Sequence, residues 1–421
     1  MSSDADVLTT VKLETPTMKY DPRHRASSEG SLMRLVHWGP LIALYIIFHI
    51  SLSGLYCILM WWPPFTVGGA IHLAVYLFWL YLVLYNMISG SLKGPGFVPL
   101  GWKPDNPEDF KNLQYCRICE GYKAPRSHHC RKCNRCVMKM DHHCPWINTC
   151  CGHYNHASFI QFLFIAPVGC FHAAVVLIAS VYRAVYRPYY LYFGDGTEPL
   201  VELDVLGFLV CMFGIGLAIG VIIAVGMLFV VQMKSVFRNE TGIETWIKDK
   251  AYYRDRDEEE EGEFIYPYDL GRKKNFFQVF SWSGFPVSDG IWWEVREGCD
   301  QYTLTVEQLK QKEEKRERAL PYVIVEDYAG SIFPISKGCR VCCSPPCSDE
   351  PRIPVRIGDK ISVTRWRKHW MYGDKLLSDE EAKGKNRVRG WFPKRCARHD
   401  PQDGIYLTKN HDSPKNDKKY D

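Results

Sequence analysis

The stretch Cys116-Arg117-Ile118-Cys119, His128-His129-Cys130-Arg131-Lys132-Cys133-Asn134-Arg135-Cys136, Asp141-His142-His143-Cys144 and Cys150-Cys151 decides how the chain is read. Eight of the 17 cysteines crowd into it. A pair of long apolar segments lies on either side, free of Lys, Arg, Asp and Glu at 35–92, 144–182 and 205–233. An uncharged apolar run of roughly eighteen or more residues can cross a bilayer as a helix. The first run is too long for one crossing, and Trp61-Trp62-Pro63-Pro64 splits it. The expectation is an α-helical polytopic membrane protein with four transmembrane helices, near 41–60, 68–89, 158–182 and 206–232. A buried core helix could explain one such run, but hardly all four.

Charge orients the spans. Residues 1–34 are polar, so the first apolar run is expected to be internal and to act as an uncleaved anchor, with Arg23, Arg25 and Arg34 beside it. The 93–141 segment carries ten Lys/Arg against five Asp/Glu, whereas 187–204 carries one Arg against four acids. Positive-inside bias then places both termini and the cysteine cluster in the cytosol, facing the lipid bilayer. Thiols stay reduced there, so the cysteines point to metal, catalysis or acylation before disulfides.

Beyond the fourth span, Asn239–Ile247 reads as a short amphipathic helix on the bilayer, Arg254–Glu263 as a solvated acidic linker, and the aromatics of Phe264–Phe285 as packing on the membrane face. A helix-like stretch, Glu307–Arg318, leads into an all-β domain. Val323-Ile324-Val325, Lys360–Thr364 and Val388–Phe392 alternate between Gly, Pro and Asp breaks, at a length that suits a five-stranded barrel.

Paired C-x2-C hooks signal tetrahedral zinc. Cys116/Cys119 and Cys130/Cys133 are two such hooks, and Cys136, Cys150, His129 and His143 can complete two sites. Cys144 and His142 are then left over, which a purely structural double-zinc module would not require. A zinc knuckle for nucleic acid is the alternative, but it does not explain a tether between membrane spans; no nucleic acid partner is expected.

These motifs, with Cys144-Pro145-Trp146, resemble the cysteine-rich domain of the DHHC protein S-acyltransferases (palmitoyltransferases), over roughly residues 35–285. The resemblance implies one zinc held by Cys116, Cys119, His129 and Cys136, and a second held by Cys130, Cys133, His143 and Cys150. It implies Cys144 as the acylated nucleophile, His142 as its base and Asp141 as the group that orients His142. Chemistry agrees: a thiolate attacks a thioester, and an adjacent imidazole promotes its formation. Asp141 merely capping a turn is the other reading. The co-substrate implied is acyl-CoA (palmitoyl-CoA), and the acceptors are membrane-associated proteins with cytosolic juxtamembrane cysteines. Lys123, Arg126, His128 and Arg131 could meet the CoA phosphates, or simply form a basic surface. The chain departs from the family where Asp-Pro-Gly becomes Gly94-Pro95-Gly96 and Thr-Thr-x-Glu becomes Thr241-Gly242-Ile243-Glu244; an Asn-and-aromatic motif remains as Asn275-Phe276-Phe277.

Val325-Glu326-Asp327-Tyr328, Gly358-Asp359-Lys360-Ile361, Trp370-Met371-Tyr372-Gly373 and Gly390-Trp391-Phe392-Pro393 resemble successive landmarks of an SH3 domain, pointing to the SH3-bearing endoplasmic reticulum member of the family. Glu326 and Cys396 replace two usual tyrosines, so regulatory protein contacts are expected rather than ordinary Pro-x-x-Pro recognition. Cys339, Cys342, Cys343 and Cys347 fall in its long first loop. S-acylation, by this enzyme or another acyltransferase, is the favoured reading, with a third metal site and idle thiols as alternatives. Lys418-Lys419-Tyr420-Asp421 resembles a dilysine retrieval signal for the endoplasmic reticulum. The domains read as 1–34 (disordered), 35–92 (two spans), 93–156 (zinc domain), 157–235 (two spans), 236–319 (juxtamembrane segment and linker), 320–398 (SH3-like) and 399–421 (tail).

Overall fold

Four long helices hold the chain's apolar segments: α1 (Trp38–Trp61), α2 (Val67–Lys93), α3 (His156–Val185) and, after the short α4 (Arg187–Phe193), α5 (Val205–Arg238). A computed structural model of the chain describes residues 31–61, 64–197, 199–254, 262–281, 284–348, 350–376 and 388–400. Each of the four long helices exceeds the roughly 30 Å of a bilayer core at about 1.5 Å per residue. Their apolar side chains point largely outward, as Leu41, Phe78, Phe171, Ile223 and Val230 do, which suits lipid and not water. The chain is a multi-pass membrane protein, with spans a few residues longer than the sequence suggested.

Local chemistry sets the helix ends. Thr66 accepts from Gly69 N at 3.1 Å to start α2, and Asp204 accepts from Gly207 N at 2.7 Å to start α5. Asn239, in the left-handed conformation at φ 46°, stops α5. The central helix is α3, which packs on α1, α2 and α5 through small residues such as Ala173 and Ala174. Gly54 of α1 lets the Tyr76 hydroxyl reach the carbonyls of Ile50 and Ser51, at 3.3 and 3.2 Å; a Cβ there would lie 2.1 Å from that oxygen.

Between α2 and α3, three hairpins carry the cysteines: β1 (Tyr115–Cys116) with β2 (Gly121–Tyr122), β3 (His128–Cys130) with β4 (Arg135–Val137), and β5 (His142–Cys144) with β6 (Thr149–Cys151). Such two-stranded ribbons are too short to stand alone. Their turns use left-handed residues, Glu120, Asn134 and Asn148 among them. In Gly94-Pro95-Gly96 the departure is Gly94, which ends α2 at φ 69°, where a Cβ would come 3.1 Å from Arg34 Nη1; Gly96, as in the family, sits at φ 85° with the Tyr154 ring 2.4 Å from where a Cβ would be.

The segment after α5 differs from expectation. Helix α6 (Gly242–Tyr253) turns Glu244, Ile247 and Ala251 inward, and Ile247 and Ala251 pack with Phe264, Tyr266, Tyr268 and Trp293. Those aromatics therefore form a protein core and not a membrane-facing surface. Helix α7 (Arg272–Val279) is held by Asn275, which donates to Phe237 O at 2.8 Å and Asp269 Oδ1 at 2.7 Å. Residues 236–307 thus belong to the first of two compact units, which ends at Glu307 within α8 (Thr303–Glu317). Most of the acidic stretch at 254–263 lies outside the described residues.

The second unit, Gln308–Asp421, is built on a five-stranded antiparallel sheet: β7 (Leu320–Ile324), β8 (Lys360–Trp366), β9 (Trp370–Lys375), β10 (Arg389–Pro393) and β11 (Ala397–His399). Their order is β10-β9-β8-β7-β11, SH3-like in plan. The barrel expected is not closed by a β10–β11 ladder among the described residues. Ile324, Val363, Trp370, Phe392 and Cys396 fill its core. Cys396, in place of a tyrosine, is therefore a packing residue.

Candidate active site

Strand alternation sorts the crowded side chains. Neighbours on a strand point to opposite faces, so His129 faces Cys136 across β3–β4 while Cys130 points away. In β5–β6, His143 lies opposite Cys150, and His142 opposite Cys151. Two sets of donors gather in consequence: Cys116, Cys119, His129 and Cys136, and Cys130, Cys133, His143 and Cys150. His129 Nδ1 lies 3.5 Å from the Cys116 and Cys119 sulfurs and 3.9 Å from Cys136. His143 Nδ1 lies 3.6, 3.4 and 3.7 Å from Cys130, Cys133 and Cys150. Bonds of about 2.3 Å to sulfur and 2.0 Å to nitrogen give tetrahedron edges of about 3.5–3.8 Å. Both sets therefore fit a four-coordinate thiophilic metal.

The other face of β5–β6 carries His142, Cys144 and Cys151, and Asp141 stands just before β5. Asp141 is buried, and its carboxylate is held from three sides. Oδ2 accepts from His142 Nδ1 at 2.7 Å and from Gln232 Nε2 at 3.0 Å; Oδ1 accepts from Gly242 N at 2.6 Å. With Nδ1 so engaged, His142 turns Nε2 to Cys144, and its ring meets the Phe159 ring edge-on at 5.6 Å. Cys144 is buried in an apolar cluster with Ile147, Cys151, Phe159, Ile160 and Leu163.

These contacts set the charges. Burial opposes ionisation of Asp141, but the His142 bond overcomes it and holds the carboxyl below its usual range. Burial likewise opposes the His142 cation, yet the bond to Asp141 and the contact with Cys144 raise it to about 9. Cys144 falls to about 5, through the Cys151 thiol at its side and, against the cost of burial, through His142. Burial pushes Cys151 well up, so it remains the thiol of the two. The result is a thiolate–imidazolium pair backed by a fixed carboxylate.

The Gly242 N–H is aimed by the start of α6, where Thr241 and Glu244 form a reciprocal capping box. Glu244 in turn takes a two-pronged ion pair from Arg126, 2.6 and 2.8 Å, both side chains fully buried. The Arg126 guanidinium also donates to Asn239 O at 2.6 Å and lies 4.2 Å from the Tyr268 ring centroid. Gly242, in place of the family's threonine, costs Asp141 no bond, because the donor is backbone.

This corrects the reading of Arg126 as a CoA-phosphate contact: it is a buried strut, spent on Glu244 and Asn239. Arg131 is exposed, while Lys123 and His128 are half-buried, Lys123 donating to Gln114 at 3.1 Å. Cys339, Cys343 and Cys347 are exposed and Cys342 half-buried; the four do not gather as a metal-ligand set. Lys418 and Lys419 lie outside the described residues. Sequence reasoning missed Gln232, Asn239 and Cys151. Gln232 carried a signal, as an amide inside the uncharged run 205–233.

Comparison with known proteins agrees with this fold. The family profile of DHHC palmitoyltransferase matches residues 109–249. The chain belongs to that family and is a protein S-acyltransferase. It is 48% identical over 387 residues to "Palmitoyltransferase ZDHHC6" of Mus musculus, covering 89% of this chain and 93% of that protein. With the protein of the same name from Danio rerio it shares 51% over 377 residues, 86% and 91% of the two chains. "Probable protein S-acyltransferase 13" of Arabidopsis thaliana is 30% identical over 260 residues, 55% of this chain and 76% of that one.

Proposed function

We propose that Cys144 carries the acyl group, taken as palmitoyl from palmitoyl-CoA and passed to cysteine thiols of membrane-associated proteins. The Cys144 thiolate attacks the thioester carbonyl. As the new carbon–sulfur bond forms, the bond to CoA breaks, and the leaving CoA sulfur takes the proton held on His142. In the second half-reaction His142 Nε2 accepts the proton of an acceptor thiol. Its sulfur then attacks the Cys144 thioester and regenerates the Cys144 thiolate. Asp141 fixes the tautomer and orientation of His142 throughout, following the logic of the hydrolase triads. The observation that carries this reading is the unbroken line from the buried Asp141 carboxylate through His142 Nδ1 to the Cys144 sulfur. The apolar wall of Phe159, Ile160 and Leu163 suits a chain that gains about 0.8 kcal/mol per buried methylene.

Zinc is the ion assigned to both Cys3His sets, where it supplies rigidity and no reactive step. Among the CoA candidates, Arg131, Lys123 and His128 remain for the phosphates. The cysteine-rich face and both termini are assigned to the cytosol from the charge bias, and the protein to the endoplasmic reticulum from Lys418 and Lys419. The SH3-like unit is assigned to regulatory protein contacts. Acylation of its exposed cysteines by another acyltransferase would tether it to the bilayer. Undiminished label on a Cys342/Cys343 double variant in an acyl-exchange assay would remove that assignment.

Purified full-length protein with labelled palmitoyl-CoA tests the central reading. Wild type is expected to take hydroxylamine-labile label and Cys144→Ala to take none. Label that survives Cys144→Ala overturns the nucleophile.

A further inference from the structure

The line from Asp141 through His142 to Cys144 runs without Cys151, whose thiol only leans on the Cys144 sulfur; yet a second cysteine, wholly buried, stands beside the nucleophile. The register puts Cys151 across from His142, two residue pairs along the hairpin from Cys144, and all three side chains on the same face. The Cys144 and Cys151 sulfurs and a ring nitrogen of His142 lie within 4.8 Å of one another. His142 Nδ1 is already bound to Asp141 Oδ2 at 2.7 Å, which leaves Nε2 as the donor. A carboxylate behind a ligating histidine is the arrangement that orients the ring and raises its basicity toward metals.

We propose that His142, Cys144 and Cys151 form a third metal site, inhibitory in effect, that takes a thiophilic divalent cation such as Zn2+. The inference rests on the reading of Cys144 as nucleophile. Two thiolates and an imidazole suit zinc, and three protein ligands leave a fourth position open. The ion occupies both the Cys144 sulfur and His142 Nε2, so neither can take part in thioester formation. Ligation releases two protons to solvent, one from the Cys151 thiol and one from His142 Nε2, while Cys144 enters as the thiolate it already is. The two four-ligand sets are closed and the third is open, so zinc fills the third last and leaves it first. An acyl group on Cys144 removes one ligand, so acylation and zinc exclude each other.

The test uses full-length protein in detergent with a phosphine reductant, which does not supply competing thiols and prevents a Cys144–Cys151 disulfide. Acyl-enzyme formation from labelled palmitoyl-CoA is followed as ZnCl2 is added, each variant being scaled to its own metal-free rate. Wild type is expected to be inhibited, with activity restored by a brief chelator wash, and to hold three zinc ions per chain at full inhibition. In Cys151→Val the half-inhibiting zinc concentration should rise about tenfold or more, with two ions held; Cys151→Ser should behave likewise. Wild type preloaded with acyl groups should also hold two. Equal inhibition of wild type and Cys151→Val, or only two ions on inhibited wild type, overturns the proposal. Should both Cys151 variants fail to fold, the ion count on wild type with and without preloaded acyl decides alone. Failure of the underlying reading shows separately, as label retained by Cys144→Ala.

Discussion

Gln232 of α5 donates from Nε2 to Asp141 Oδ2 at 3.0 Å, the same oxygen that receives His142 Nδ1 at 2.7 Å. The amide oxygen of Gln232 can only accept, so the His156 ring nitrogen 3.2 Å from it carries a proton. A polar relay thus runs from α3 through α5 into the loop at Asp141. It ties both spanning helices to the carboxylate that holds the His142 imidazole, through one buried side chain.

Gln232→Leu should therefore lower the single-turnover rate of Cys144 acylation by about tenfold, the value of one buried hydrogen bond to a charged group. The dependence on acyl-CoA concentration should stay put, since Gln232 lies behind Asp141 and not beside the donor. Gln232→Glu should be worse than Gln232→Leu, because it sets a second carboxylate against Asp141. Equal rates in all three proteins would reduce Gln232 to a packing residue.

The pH profile follows from the pair. Cys144 is lowered to about 5 and His142 raised to about 9, so the thiolate–imidazolium form spans that window. Acyl-enzyme formation should rise as pH passes about 5, where Cys144 loses its proton, and fall above about 9, where His142 does. Asp141→Asn removes the anion that holds the proton on His142. The upper limb should then move down toward the ordinary histidine value of about 6.5, and the lower limb should move up. Iodoacetamide alkylation of Cys144 against pH reads the lower limb directly. An unmoved upper limb in Asp141→Asn would deny Asp141 its orienting role.

How much of this was open to reading from the chain depends on range. The spans were legible because 35–92, 144–182 and 205–233 lack charge altogether. The hooks and Cys144 were legible because metal ligation and the DHHC pattern both leave short-range spacings. Arg126 was misread because a basic residue in a basic segment looks solvated. Its partner Glu244 stands 118 positions away, beyond any spacing rule. The aromatics Phe264, Tyr266 and Tyr268 were misplaced for the same reason: what they pack on, Ile247 and Trp293, is fixed by tertiary contact and not by periodicity.

The Arg126–Glu244 pair makes a stability prediction. With both side chains fully buried, removing one leaves an uncompensated charge in the interior, at a cost of about 3–5 kcal/mol. Arg126→Ala and Glu244→Ala should each lower the melting temperature of the detergent-solubilised protein sharply. The double variant should be less damaging than the sum of the two, because no lone charge remains. Simple additivity in that cycle would mean the two residues act apart.

The metal sites should fall together. His129 and Cys130 are neighbours on β3 yet serve different donor sets, and His143 and Cys144 are neighbours on β5 that face the second set and the His142–Cys151 side. Loss of one ion frees a strand whose other face holds its neighbour's ligands, and ladders of two or three residue pairs are too short to survive alone. His129→Ala, which touches only the first set, should therefore cost about two zinc equivalents and not one, together with Cys144 acylation. His143→Ala should do the same from the other side. Zinc counted by elemental analysis on both purified variants checks this. A His129→Ala protein that keeps one ion and an acylable Cys144 would show the sets to be independent modules and the interleaving to be without consequence.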